Sequence, residues 1–335
     1  MTAQANPKHR QTATPPDRAR AADSLPHERP DTRMAQRIEH LDDLIAEAGS
    51  LPPAPTAVVD AGERHVLEAA HQAAQKGLIE PLLIGQREVI APLLQELGAD
   101  YPIVDVVTPE DAATQGVLAV QEGRAKLLMK GHLHTADFLH PILKQLRRAP
   151  RLSHVFAAEL DRYPKLLFIT DAAINIAPDL EAKAQILQNA VDLARLLGNK
   201  RPKVAALSAI EVVNPAVAST IDAACLAKMA ERGQIRHALV DGPLAFDNAI
   251  SAESARIKGI DSAVAGDVDI LLAPDLVSGN ILYKDLEYLA GARFAGVVLG
   301  ASVPVVLTSR ADPETVRLAS LALARVAHHR ETAPT

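Results

Sequence analysis

From residue 56 onward, short apolar runs alternate with stretches of helical periodicity, and that alternation narrows the possible folds most. The runs fall at 57–59, 81–84, 103–107, 126–129, 166–170, 204–207, 238–240, 268–273, 295–299 and 303–307. Their brevity and Val, Ile and Leu content suit strands covered on both faces. Helical patterns lie between them, among them 180–197, 215–232 and 312–327. This predicts an α/β fold with largely parallel sheets. An amphipathic helix is expected over 35–48, separated from the first strand by Pro52-Pro53-Ala54-Pro55.

The 335 residues allow about two domains at roughly 150 residues each. Aromatic residues make up only 3% and Trp is absent, so the core must be built from aliphatic packing. The same scarcity removes the stacking platforms that single-stranded nucleic acid needs. A net charge of −6 argues against general duplex binding, which needs a basic footprint. Cys225 is the only cysteine, so no intramolecular disulfide forms, and the chain suits a reducing cytoplasm. No run of about 18 apolar residues suggests a membrane span. Residues 1–33 lack a hydrophobic segment and read as a disordered tail, and Asp17, Asp23, Glu28 and Asp31 speak against a transit peptide.

Polar residues recur where the apolar runs end: Asp60, Lys130, Asp171, Ser208, Asp241, Asp275 and Ser309. Open α/β sheets bind ligands outside their strand C-termini, near helix N-termini. Each of these Asp and Ser residues could equally be a helix cap. Lys130-Gly131-His132-Leu133-His134-Thr135 reads as a phosphate cradle: Lys130 brings charge, Gly131 allows close backbone approach, and Thr135 starts a helix. His132 and His134 lack the partners that a zinc site requires, which leaves His134 as a polar contact. Asn175 can reach a ligand or close an Asx-turn. Asp241-Gly242-Pro243 is expected as a sharp turn. Asp275 leads into Ser278-Gly279-Asn280, which opens a helix carrying Lys284. Thr308-Ser309-Arg310 precedes another helix. Two helix N-termini with nearby cations suit an anion, and Arg310 can grip phosphate through two parallel hydrogen bonds. Cys225 sits mid-helix among apolar neighbours and reads as a buried small residue.

Five blocks resemble, in order, the phosphate acetyl/butyryltransferases. They are MKGHLHTADFLHPIL (129–143), ITDAAINIAPDLEAKAQIL (169–187), DGPLAFDNAIS (241–251), PDLVSGNILYK (274–284) with LAGA following, and PVVLTSRAD (304–312). The resemblance implies an isocitrate/isopropylmalate dehydrogenase-like fold: two α/β/α domains with an interdomain cleft. Domain I would take 34–160 plus 298–330, and domain II 161–297. The implied reaction is acyl-CoA plus phosphate to acyl phosphate plus CoA. Arg310 and Lys130 would neutralise phosphate, and Ser309 would polarise the reacting carbonyl. Gly131, His134, Thr135, Asn175, Asp241, Asp275, Asn280 and Lys284 would bind CoA or phosphate. The implied protein uses no metal and no cofactor beyond its substrates, and is a homodimer or higher homo-oligomer.

Two positions depart from the acetyl-type pattern. Lys130-Gly131 stands where acetyl-type members carry Ser-Gly, and agrees with butyryl-type ones. Leu307 stands where a PVNDLSR-like run has an Asp, so a carboxylate base from this strand is missing. Both point to acyl chains of about three to five carbons, since buried methylenes favour binding. The alternatives are an NAD-dependent hydroxy-acid dehydrogenase on the same fold, and a catalytically silent CoA-binding protein.

Overall fold

The computed structural model describes Thr2, residues 36–307 and residues 312–333. The proposed tail, Thr2 apart, and Ser309 and Arg310 lie outside the described residues. The elements begin with α1 (Leu41–Ser50), β1 (Ala54–Val59), α2 (Arg64–Gln75), β2 (Ile79–Gly85), α3 (Arg87–Glu96) and β3 (Ile103–Asp105). Then come α4 (Pro109–Gln121), β4 (Leu127–Lys130), α5 (Thr135–Gln145), β5 (Ser153–Glu159), β6 (Leu167–Thr170) and α6 (Leu180–Leu196). Next are β7 (Lys203–Leu207), α7 (Ala218–Glu231), β8 (Leu239–Leu244), α8 (Phe246–Ile250) and α9 (Ala252–Ile257). The chain closes with β9 (Ile270–Leu272), α10 (Leu276–Tyr288), β10 (Arg293–Leu299), β11 (Val305–Val306) and α11 (Glu314–Thr332).

All the described strands join one eleven-stranded sheet, ordered β3-β2-β1-β4-β11-β10-β5-β6-β9-β7-β8. The sheet is mixed but, as expected, largely parallel. One parallel block runs from β3 to β11 and another from β6 to β8. Between them, β10 pairs antiparallel with both β11 and β5, and β5 pairs antiparallel with β6. The apolar runs fail to announce β5, whose Ser-His-Val-Phe-Ala-Ala-Glu composition is only partly aliphatic. A second correction concerns Asp241-Gly242-Pro243, which is not a turn: β8 runs through it to Leu244. The first helix also starts at Leu41, later than its periodicity implied.

The register explains where a site can form. Val305 of β11 pairs with Val298 of β10, which pairs with His154 of β5. Gly296 of β10 pairs with Phe156, which pairs with Ile169 of β6. β11 and β6 thus end at the same level of the sheet, on either side of the β10–β5 pair. The C-terminal ends of two parallel blocks, where such sheets bind ligands, are brought face to face.

The core matches the composition. β1 and β4 are buried along almost their whole length. α11 is buried from Val316 to Ala327, as expected of a helix apolar nearly all round. Its Arg325 is an exception, 2% exposed, and donates to the carbonyls of Leu51, Gly77 and Leu78. Three helices that follow strand ends are capped by side chains: Thr108 accepts from Asp111 N–H, Asp179 from Ala182 N–H and Asp275 from Ser278 N–H. None of the described helices is long and apolar enough to cross a membrane.

Candidate active site

A cavity of about 430 Å³ lies at the facing strand ends. Its lining brings together Lys130, His134, Thr135, Asn280 and Lys284, five of the residues singled out in the sequence. Among the described residues Leu133, Phe156, Ala172, Ala173, Tyr283, Leu307 and Asp312 also line it.

Lys130 is the last residue of β4 and is only 8% exposed. Its Nζ lies 3.1 Å from the Gly131 carbonyl oxygen. Gly131 itself does not line the cavity. A Cβ there would sit 2.1 Å from the Asp60 carbonyl oxygen, so glycine lets the β4 end pack against the β1 end. That contact fixes the direction in which the chain enters α5. His134 is the N-cap residue of α5 without a side-chain cap bond, and Thr135 follows as its first residue. The cavity thus borders a helix N-terminus, where backbone N–H groups and the dipole favour an anion. His132 points elsewhere, with its Nδ1 against the Glu63 carboxylate. Among the described residues no group of three or more His, Cys, Asp or Glu side chains could hold a metal ion.

α10 supplies the second side. A Cβ on Gly279 would meet the Asp171 carbonyl oxygen at 2.4 Å, so this glycine seats the helix directly on the end of β6. Asn280, Tyr283 and Lys284 then share one helical face through their three- and four-residue spacing. The Asn280 amide donates to the Ala172 carbonyl (3.1 Å), which ties helix to loop. Lys284 Nζ lies 2.9 Å from Glu287 Oε2 and 4.3 Å from the centre of the Tyr283 ring. Burial, and then the nearby Asp312 and Glu287 carboxylates, push the Tyr283 hydroxyl well above its ordinary range. It stays a neutral phenol. Asp312 is 7% exposed and is the one carboxylate among the described lining residues.

The other sequence candidates lie elsewhere. The Asn175 amide donates to Asp171 Oδ2 (2.6 Å) and to the Leu152 carbonyl (2.9 Å), and its oxygen accepts from Arg151. Burial raises the Asp171 carboxyl, against hydrogen bonds from Ala173, Asn175, Ile174 and His154. Asn175 is therefore committed to the loop that follows β6. Asp275 caps α10 and borders a separate cavity of about 610 Å³ with Lys183, Ser208 and Ser278. Asp241 lies on β8, at the sheet edge, and accepts from the Gly242 N–H (2.8 Å). Ser309 and Arg310 fall outside the described residues, but Leu307 before them and Asp312 after them both line the first cavity. Cys225, on α7, is half-buried and lines neither cavity.

Tyr283 and Asp312 stand inside the sequence motifs without being among the residues those motifs single out. The 280/283/284 spacing was a signal for Tyr283. Phe156 carried no local signal, because only the pairing of β5 with β10 and β6 places it here.

The family described as "Phosphate acetyl/butaryl transferase" matches residues 88–324. The chain belongs to the phosphate acetyl/butyryltransferase family. It is 50% identical over 289 residues to a phosphate acetyltransferase of Rhizobium meliloti, covering 84% of this chain and 92% of that one. It is 40% identical over 293 residues to a phosphate butyryltransferase of Clostridium acetobutylicum, covering 86% and 97%. Among solved structures, a branched-chain phosphotransacylase from Enterococcus faecalis superimposes with a TM-score of 0.73 at 32% identity, covering 82% of this chain and 99% of that one.

Proposed function

We infer that this chain is a phosphate acyltransferase, interconverting acyl-CoA plus phosphate with acyl phosphate plus CoA. The observation that carries the reading is the convergence of Lys130, Lys284 and the α5 N-terminus on one cavity at the facing strand ends. Two cations and a helix N-terminus suit a phosphoryl group. Family membership argues against the hydroxy-acid dehydrogenase reading.

The simplest chemistry is direct transfer. The CoA thiolate attacks the acyl-phosphate carbonyl carbon, an S–C bond forms, the C–O bond to phosphorus breaks, and phosphate leaves with the electron pair. On this route positioning and charge stabilisation provide the rate. Lys130 and Lys284 hold phosphate, with Arg310 joining them from the segment between Leu307 and Asp312. Ser309 polarises the carbonyl. His134 and Thr135 contact the ligand at the start of α5, and Asn280 orders the loop after β6. No metal or further cofactor enters this scheme.

The finer features form part of the same proposal. The two parallel blocks correspond to two α/β/α lobes of an isocitrate/isopropylmalate dehydrogenase-like fold, with the division near β5 and β10. The enzyme is cytoplasmic, works as a homodimer or higher homo-oligomer, and prefers acyl groups longer than acetyl.

Isotope exchange tests direct transfer. Exchange of labelled phosphate into acyl phosphate should require CoA. Exchange without CoA would mean that an acyl group rests on the protein, and the direct route would fall. A chain that only binds CoA would show no exchange under either condition.

A further inference from the structure

We propose that Phe156, held in place by Tyr283, is the surface against which the acyl chain lies, and that Phe156 and Ala173 set the chain length accepted. This rests on the acyltransferase reading and identifies the part of the cavity that recognises the group transferred.

The lining divides chemically. Lys130, His134, Thr135, Asn280 and Lys284 are suited to phosphate and the polar parts of CoA. Leu133, Phe156, Ala172, Ala173 and Leu307 offer nothing to an anion. An apolar surface within a cationic cavity is superfluous for phosphate and nearly so for an acetyl methyl. It becomes useful when the acyl group carries additional methylenes, each worth about fourfold in binding when well buried.

The surface is also rigid. The Phe156 ring stacks on Tyr283 with centroids 4.0 Å apart and planes 12° from parallel. Phe294 meets the Tyr283 ring edge-on at 4.8 Å, and His154 lies 4.1 Å from Phe156. The chain has five Phe, four Tyr and no Trp, yet three of these nine aromatics form one cluster, and two of the three line this cavity. Core filling could have used the aliphatic residues that serve elsewhere. Phe156 sits one residue from the sheet level at which β11 and β6 end, and it lines the cavity there. Ala173, half-buried on the loop after β6, lines the same cavity and leaves room that a larger side chain would fill.

The test is kcat/KM with phosphate for acetyl-, propionyl-, butyryl-, valeryl- and hexanoyl-CoA, in wild type, Phe156→Ala, Phe156→Leu and Ala173→Leu. Phe156→Ala should raise the hexanoyl-to-butyryl ratio about tenfold, with Phe156→Leu shifting it in the same direction by less. Ala173→Leu should lower the butyryl-to-acetyl ratio about tenfold. The KM for phosphate should stay near the wild-type value throughout. If Phe156→Ala does not fold, Phe156→Leu and Ala173→Leu decide the matter. Folded variants whose efficiencies fall by one common factor for every chain length would overturn the assignment. Wild-type protein that cleaves none of these thioesters in response to phosphate would strike the acyltransferase reading itself, and the assignment with it.

Discussion

Lys130 at the end of β4 and Asp241 within β8 are both acid–base side chains on parallel strands, but only Lys130 lines the cavity. β4 lies next to β11, whose end meets that of β6 across two antiparallel strands. β8 is an edge strand with no opposing block, and Asp241 spends its carboxylate on the adjacent Gly242 N–H. The loop after β6 shows both outcomes within a few residues. Ala172 and Ala173 line the cavity, whereas Asn175 is consumed by Arg151, Leu152 and Asp171. A polar residue at a strand end joins the site when a second strand end faces it, and otherwise serves its own backbone.

Substitutions can break this contrast. Lys130→Ala should lower kcat by about 10²–10³-fold, the usual cost of losing one preorganised group that stabilises transition-state charge. Steady-state kinetics on folded protein checks this, and a loss below about threefold would place Lys130 outside the machinery. Asn175→Ala should act on stability, costing about 2 kcal/mol in denaturant unfolding, because a buried carboxylate loses its amide donor. Unchanged stability with lost turnover would return Asn175 to the ligand.

The buried His154 sharpens the contrast through pH. Burial pulls its imidazole from an ordinary 6.5 down to about 3, with the Leu307 carbonyl acting in the opposite direction. Neither ring nitrogen has a partner in hydrogen-bond geometry among the described residues. The unfolded chain therefore takes up a proton below its ordinary pKa that the folded chain refuses until much lower pH. Stability should fall as pH drops through that window, by at most about 1.4 kcal/mol per pH unit from this one group. His154→Phe should flatten the stability curve there, as read by denaturant titrations at several pH values. An unaltered slope would mean that another group governs acid sensitivity.

Leu307→Asp should lower the butyryl-to-acetyl efficiency ratio by about fourfold, since a charge would replace one apolar contact with the chain. Smallest of all, Asp241→Asn should change kcat/KM by less than about twofold, because Asp241 lines no part of the cavity and positions away from a site are usually close to neutral. A large loss there would mean that β8 reaches the active site by a route the sheet order does not provide.

The α/β alternation was legible because strand and helix periodicities are local. Lys130, His134, Thr135, Asn280 and Lys284 could be picked out because a strand end or a short motif marks each of them. Asn175, Asp241 and Asp275 carry the same local marks and line no part of this cavity. What separates the two groups is sheet order, which depends on pairings such as β5 with β10, far apart in the chain. Phe156 was invisible for the same reason. Leu307 was legible as a departure from the acetyl-type pattern, but its place on the cavity wall was not.

The account rests on the facing strand ends being the place of acyl transfer. The most direct measurement is phosphate-dependent release of CoA thiol from butyryl-CoA, run side by side on wild type, Lys130→Ala and Asp241→Asn. Rapid release that requires phosphate is expected in wild type and Asp241→Asn, with a loss of about 10²-fold or more in folded Lys130→Ala. Equal activity in Lys130→Ala, or thiol release indifferent to phosphate in wild type, would contradict it.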